Sequence, residues 1–131
     1  MDAIKVLVNN SKAKFLYFLE DFLECGIELK GSEIKSVRKN GASLRDSYVI
    51  IKDGEAFILN MHIAPYENGN LFNHEPNRTR KLLMHKKEIN RLYGTVKQDG
   101  LALIPLSVYF VNGRAKLKVG LCKGKKIYDK R

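Results

Sequence analysis

The clearest order in the chain is a pair of apolar runs, each broken at its centre by a turn dipeptide. Asp53-Gly54 separates residues 47–52 (SYVIIK) from 55–60 (EAFILN), and Asn112-Gly113 separates 106–111 (LSVYFV) from 114–119 (RAKLKV). A two-residue type I′ turn needs positive φ at both central positions, which Asp, Asn and Gly tolerate, so both segments read as β-hairpins. Basic and apolar residues alternate within 114–119. A strand there turns Arg114, Lys116 and Lys118 to one face and its apolar set to the core.

A period of three to four residues marks two helices. Residues 32–39 carry Ser32 as a candidate N-cap, Ile34 and Val37, joined by Arg38, on one stripe, and Asn40-Gly41 as a stop. Residues 86–97 place Ile89, Leu92, Tyr93 and Val96 at helical spacing. The run FLYFLEDFL at 15–23 fits a helix or a fully buried strand, and its aromatic content favours the strand. Residues 65–76 are too polar and too rich in Pro, Gly and Asn for either element and read as a loop. About six short strands with two or three helices in 131 residues predict one domain, mainly β with flanking helices. A small closed or partly open barrel of the oligonucleotide-binding (OB) type leads, since it offers a face and loops to nucleic acid.

Charge narrows the function. Of the net +10, residues 1–60 contribute nothing, with nine basic and nine acidic side chains, whereas residues 61–131 carry fifteen Lys and Arg against five acids. That asymmetry implies a polyanionic partner. Nucleic acid fits better than a membrane surface, because no segment pairs a basic face with a wide apolar one and the chain has no Trp. No run approaches the roughly 18 to 20 apolar residues of a membrane span, and the first residues lack the layout of a secretion signal, so a cytoplasmic protein is expected. Cys25 and Cys122 stand far apart and read as small buried hydrophobes.

Catalytic chemistry finds little support. His62, His74 and His85 form no metal-binding pair, and no Ser or Cys lies in a nucleophile motif. His85 precedes the second helix, where its ring could cap free N–H groups or meet a phosphate. The segment GLCKGK at 120–125 resembles a phosphate loop but is too short between its glycines, and Lys126 stands where Ser or Thr is required. No metal, no cofactor and no enzymatic activity are therefore expected. Basic residues instead gather in two clusters, Arg78, Arg80, Lys81, Lys86, Lys87 and Arg91, and then Lys123, Lys125, Lys126, Lys130 and Arg131. Gly124 allows close backbone approach to the second cluster and Tyr128 offers a stacking plane.

Together these segments resemble the tmRNA-binding protein family, known as small protein B or SsrA-binding protein. The carrying motifs are NSKAK at 10–14, ECGIELKG at 24–31 followed by SEIKSVR at 32–38, DSY at 46–48, MHIAPY at 61–66, RTRKLL at 78–83, PLSVYF at 105–110, and GLCKGKK at 120–126 ending in YDKR at 128–131. The resemblance implies an OB-type barrel over residues 1–122 that binds the tRNA-like domain of tmRNA and delivers it to stalled ribosomes in trans-translation. It implies RNA contact by Asn10, Lys12, Lys14, Glu24, Gly26, Arg78, Arg80, Lys81, Leu83, His85 and Lys86. It also implies a basic segment, 123–131, in which Lys123, Gly124, Lys125, Lys126, Tyr128, Asp129, Lys130 and Arg131 face the decoding-centre rRNA of the ribosome. The protein is expected to act as a monomer with its RNA. The resemblance also implies a further basic tail beyond the Asp-Lys-Arg motif, whereas this sequence stops at Arg131, as expected of either a truncated chain or an unusual member. A ribosomal-protein-like rRNA-binding barrel is the alternative. A nuclease would need clustered carboxylates or a His pair, and the acids here are scattered.

Overall fold

The structure, a computed structural model, describes residues 5–66 and 73–124. Along the chain run β1 (Lys5–Asn9), α1 (Ala13–Leu16), β2 (Tyr17–Ile27), α2 (Gly31–Arg38), β3 (Ala42–Ser43), β4 (Tyr48–Lys52), β5 (Glu55–Leu59), β6 (His62–Ile63), β7 (Arg80–Leu83), α3 (Lys86–Asp99), β8 (Ala102–Val111) and β9 (Arg114–Gly124). Seven strands form one sheet in the order β1-β8-β9-β2-β7-β5-β4, every pair antiparallel, and β3 and β6 form a small second ladder.

Both expected hairpins are present. Asp53 (φ 53°) with Gly54 (76°), and Asn112 (52°) with Gly113 (77°), hold the left-handed conformations that a type I′ turn needs. The closed form of the barrel is not. β1 and β4 are the two edges of the sheet and share no ladder. The sheet curls instead, bringing β4 near β8, and wraps a main core in which Val37, Ile58, Met61, Val108 and Leu117 are fully buried, with Ala13, Ile104 and Cys122 in a smaller cluster. α3 closes one side of that core through Ile89 and Leu92, whereas Tyr93, expected on the same stripe, is exposed. Cys25 and Cys122 are buried free thiols, and burial pushes the Cys25 pKa up to about 12.

Helix ends depart from expectation for local reasons. α2 begins at Gly31, one residue before the expected cap. The Lys30 N–H donates to Glu33 Oε1 (2.7 Å), and the Ser32 hydroxyl faces His74 Nδ1 (2.9 Å) instead of capping. Because His74 Nε2 lies 2.9 Å from the Ile63 carbonyl, which only accepts, Nε2 is the donor of that bond. At the far end Asn40 takes the left-handed φ (63°). Gly41 is needed for proximity, since a Cβ there would fall 2.3 Å from Ser36 Oγ. α3 starts after His85, whose backbone N–H donates to Glu88 Oε1 (3.1 Å).

The run at 15–23 splits. Phe15 and Leu16 end α1, and β2 begins at Tyr17. The expectation of full burial fails, with Phe15 72%, Phe18 57%, Leu19 52% and Phe22 54% exposed. Of the 65–76 loop, residues 67–72 lie outside the described residues.

Candidate nucleic-acid interface

Strand alternation assembles the site. In β2, Cys25 and Ile27 point into the core, which turns Phe22, Glu24 and Gly26 to the outer face. Cross-strand pairing extends that face sideways. Gly26 opposes Leu83 of β7 and Lys116 of β9, Lys116 opposes Tyr109 of β8, Glu24 opposes Lys118, and Lys118 opposes Ser107. In β7 the inward positions are Arg80 and Leu82, both buried, and the outward ones Lys81 and Leu83. Residues far apart in sequence, namely Glu24, Gly26, Lys81 and Leu83, thus share one surface with Lys116 and Lys118.

Each side chain on that surface has a definite environment. The Tyr109 hydroxyl donates to Glu24 Oε2. Burial and that carboxylate both push the Tyr109 pKa upward, so the phenol keeps its proton and remains a donor. Lys118 Nζ sits 4.1 Å from the centre of the Phe22 ring. Gly26 is required by contact, because a Cβ there would come within 3.2 Å of the Leu83 Cβ. Lys81 Nζ pairs with Glu55 Oε1 at 2.6 Å, with both side chains close to half exposed. That hydrogen bond and the opposite charge raise the Lys81 pKa and lower that of Glu55. His85 and Lys86 are exposed where β7 passes into α3 and line one cleft with Lys81, Glu55 and Gly54.

Two expected RNA contacts are engaged within the protein. Arg80 is fully buried. Its guanidinium bonds Glu33 Oε2 (2.6 Å) and the carbonyls of Met61 (2.7 Å), Arg78 (3.1 Å) and Pro76 (3.1 Å), and its burial keeps it out of reach of RNA. Arg78 binds the same carboxylate through Nε (2.9 Å) and Nη2 (2.7 Å), so its fork is already filled. Burial pushes the Glu33 pKa up, but Arg78, the Lys30 N–H and Arg80 outweigh it and hold the carboxyl below its ordinary value. This cluster is an internal clamp between α2 and β7, and two of the six residues of the basic run serve it.

The remaining predicted residues lie elsewhere. Asn10 anchors the β1–α1 connection, donating from Nδ2 to the Pro105 carbonyl (2.9 Å) and from its backbone N–H to that of Leu106 (2.8 Å). Lys12 is exposed beside it, and Lys14 lies in α1. Lys123 and Gly124, expected in a separate terminal segment, are the last residues of β9 and oppose Phe18 and Tyr17. Lys125, Lys126, Tyr128, Asp129, Lys130 and Arg131 lie outside the described residues. Asn9 opposes Ser107 of β8, Ser107 opposes Lys118 of β9, and Lys118 opposes Glu24, so the Asn10–Lys12 group lies three strands across the sheet from Glu24. Sequence reasoning left out Lys116, Lys118 and Tyr109. The alternation at 114–119 already carried the two lysines to one face, whereas the reach of Tyr109 across β9 had no local signal. Among the described residues no group of three or more His, Cys, Asp or Glu could hold a metal ion, and no helix is long and apolar enough to cross a membrane.

Known proteins share this sequence and fold. The family model described as SmpB protein matches residues 7–131. The SsrA-binding protein of Acetivibrio thermocellus is 54% identical over 127 residues, covering 97% of this chain and 82% of the relative. That of Clostridium perfringens is 56% identical over 127 residues, with 97% and 81% covered. A solved chain from work described as "tmRNA-SmpB: a journey to the center of the bacterial ribosome" superposes with a TM-score of 0.76 at 46% identity, covering 94% of this chain and 87% of that one. With a family model spanning most of its length and relatives above half identity, the chain belongs to the SmpB protein family.

Proposed function

We propose that this chain binds tmRNA through its tRNA-like domain and delivers it to stalled ribosomes in trans-translation, as a monomeric, non-enzymatic protein of the cytoplasm. The observation that carries the reading is the single open face on which Glu24, Gly26, Lys81 and Leu83 meet Lys116 and Lys118. A carboxylate held in place accepts N–H groups of base edges, while the surrounding ammonium groups neutralise phosphates. The curled, unclosed sheet supports the partly open OB-type barrel, with residues 1–122 as its RNA-binding part. Asn10, Lys12, Lys14, His85 and Lys86 extend the contact, and residues 123–131 face the decoding centre. The names SsrA-binding protein and tmRNA-SmpB, carried by its relatives, point the same way.

The test is a gel shift against the isolated tRNA-like domain with ordinary tRNA as competitor. Retention of the tRNA-like domain under excess tRNA is expected. Equal competition by tRNA, or stoichiometric association with ribosomal subunits lacking tmRNA, overturns the proposal in favour of a general rRNA-binding barrel.

A further inference from the structure

Phe22 is unexplained by packing. It is a large aromatic on the open face, 54% exposed, one outward position before Glu24 in β2. Consecutive outward positions in a strand lie about 6 to 7 Å apart, close to the width of one nucleobase. Lys118 stands between the two, opposite Glu24 in register and 4.1 Å from the Phe22 ring centre, and Lys116 follows it on the same face. A π face, an aimed carboxylate and two ammonium groups are together what one unpaired nucleotide asks for: a stacking surface, an edge acceptor and phosphate neutralisation.

We infer that Phe22, Glu24 and Lys118 form a pocketless subsite for one unpaired guanine, stacked on Phe22 with its Watson–Crick edge toward Glu24. Guanine is the base whose edge carries two adjacent N–H donors, N1–H and N2–H, matching the acceptor oxygens of a carboxylate. Tyr109 donates to Glu24 Oε2 and so fixes the orientation of the carboxylate toward such donors. Adenine and cytosine present a ring nitrogen acceptor beside one amino group, and that acceptor would face the carboxylate's negative charge. Charge complementarity selects nucleic acid over an apolar protein partner, since Lys116 and Lys118 lie along the strip. The acids Glu20 and Asp21 are confined to the bulge, where the Phe22 N–H donates to Asp21 Oδ1 (2.8 Å).

The inference rests on the proposed RNA-binding function, and the test separates the two. The chain has no Trp, so Phe22→Trp supplies a unique fluorophore within these 131 residues. Probes are the tRNA-like domain and uridine decamers bearing one central G or one central A. Expected are quenching of Trp emission by the tRNA-like domain and by the G decamer, with weaker binding of the A decamer. Phe22→Leu, which keeps the apolar bulk but not the plane, should lose at least about fivefold in affinity, and Phe22→Tyr should retain it. Glu24→Gln should abolish the preference for G over A. If the wild-type chain does not bind the tRNA-like domain, both readings fall. Should it bind while the Trp reporter is silent and Phe22→Leu binds as wild type, only the subsite falls. Equal binding of the G and A decamers removes the guanine assignment, and quenching that grows with protein concentration in the absence of RNA assigns the strip to a second copy.

Discussion

Single side chains here are specified by the partner that orients them. Glu24 is exposed, and an exposed carboxylate would ordinarily sample several rotamers; the Tyr109 hydroxyl, reaching across β9, selects one. Under the proposed function, Glu24→Ala should weaken binding of the tRNA-like domain by about 1–3 kcal/mol, while costing the fold no more than the about 1 kcal/mol of its hydrogen bond with Tyr109. Tyr109→Phe should weaken it by less, while costing the fold about 1 kcal/mol for the lost hydrogen bond. Binding isotherms and melting curves on the two variants check this, and full affinity in Tyr109→Phe would show that Glu24 needs no orienting group. Arg80 gives the opposite case. It looks like an RNA contact in sequence, but its guanidinium is spent on Glu33 and three carbonyls. Glu33→Gln leaves Arg80 buried beside a neutral partner and should lower stability by about 3–5 kcal/mol, measured by urea unfolding; a loss under 1 kcal/mol would mean that Arg78 and Arg80 find water or other partners.

At the level of elements, legibility followed the range of the interaction that fixes each one. The hairpins β4–β5 and β8–β9 were readable because Asp53-Gly54 and Asn112-Gly113 determine them within four residues. The pairings β1–β8 and β2–β7 join residues far apart in sequence, and no local pattern announces them. Recognising β7 as a strand would have sorted its residues by simple alternation, Arg80 and Leu82 inward, Lys81 and Leu83 outward. The run at 15–23 misled in the other direction, since apolar content normally signals burial, and here Phe15 in α1 and Phe18 and Phe22 in β2 are all exposed. The β5–β7 pair also yields a prediction. Lys81 is neutralised by Glu55, so an RNA phosphate must displace that carboxylate. Glu55→Gln should raise affinity at low salt and steepen the dependence of log K on log salt, while Lys81→Ala should make it shallower by up to about one. Titrations at several salt concentrations decide it, and identical slopes in all three proteins would take Lys81 out of phosphate contact.

For the molecule as a whole, acid stability should follow the α2–β7 clamp. Because the folded-state pKa of Glu33 lies below its unfolded value, its contribution is complete above the unfolded carboxylate value of about 4.3 and drains as pH falls through the lower folded value. Melting temperatures should therefore drop steeply below about pH 4 in the wild-type chain and less steeply in Glu33→Gln, and parallel curves would locate the acid sensitivity elsewhere. The β2–β9 ladder has a different kind of consequence. It pairs residues from Tyr17 with Gly124 to Gly26 with Lys116, so one end carries the start of the basic C-terminal segment and the other the Glu24 face. Backbone hydrogen bonds set that separation, and surface substitutions at either end leave it untouched. The ladder works as a ruler with a two-residue tick: inserting one residue between Phe22 and Glu24 would turn everything on one side of the insertion over to the opposite face, whereas inserting two would lengthen the ruler and preserve its reading.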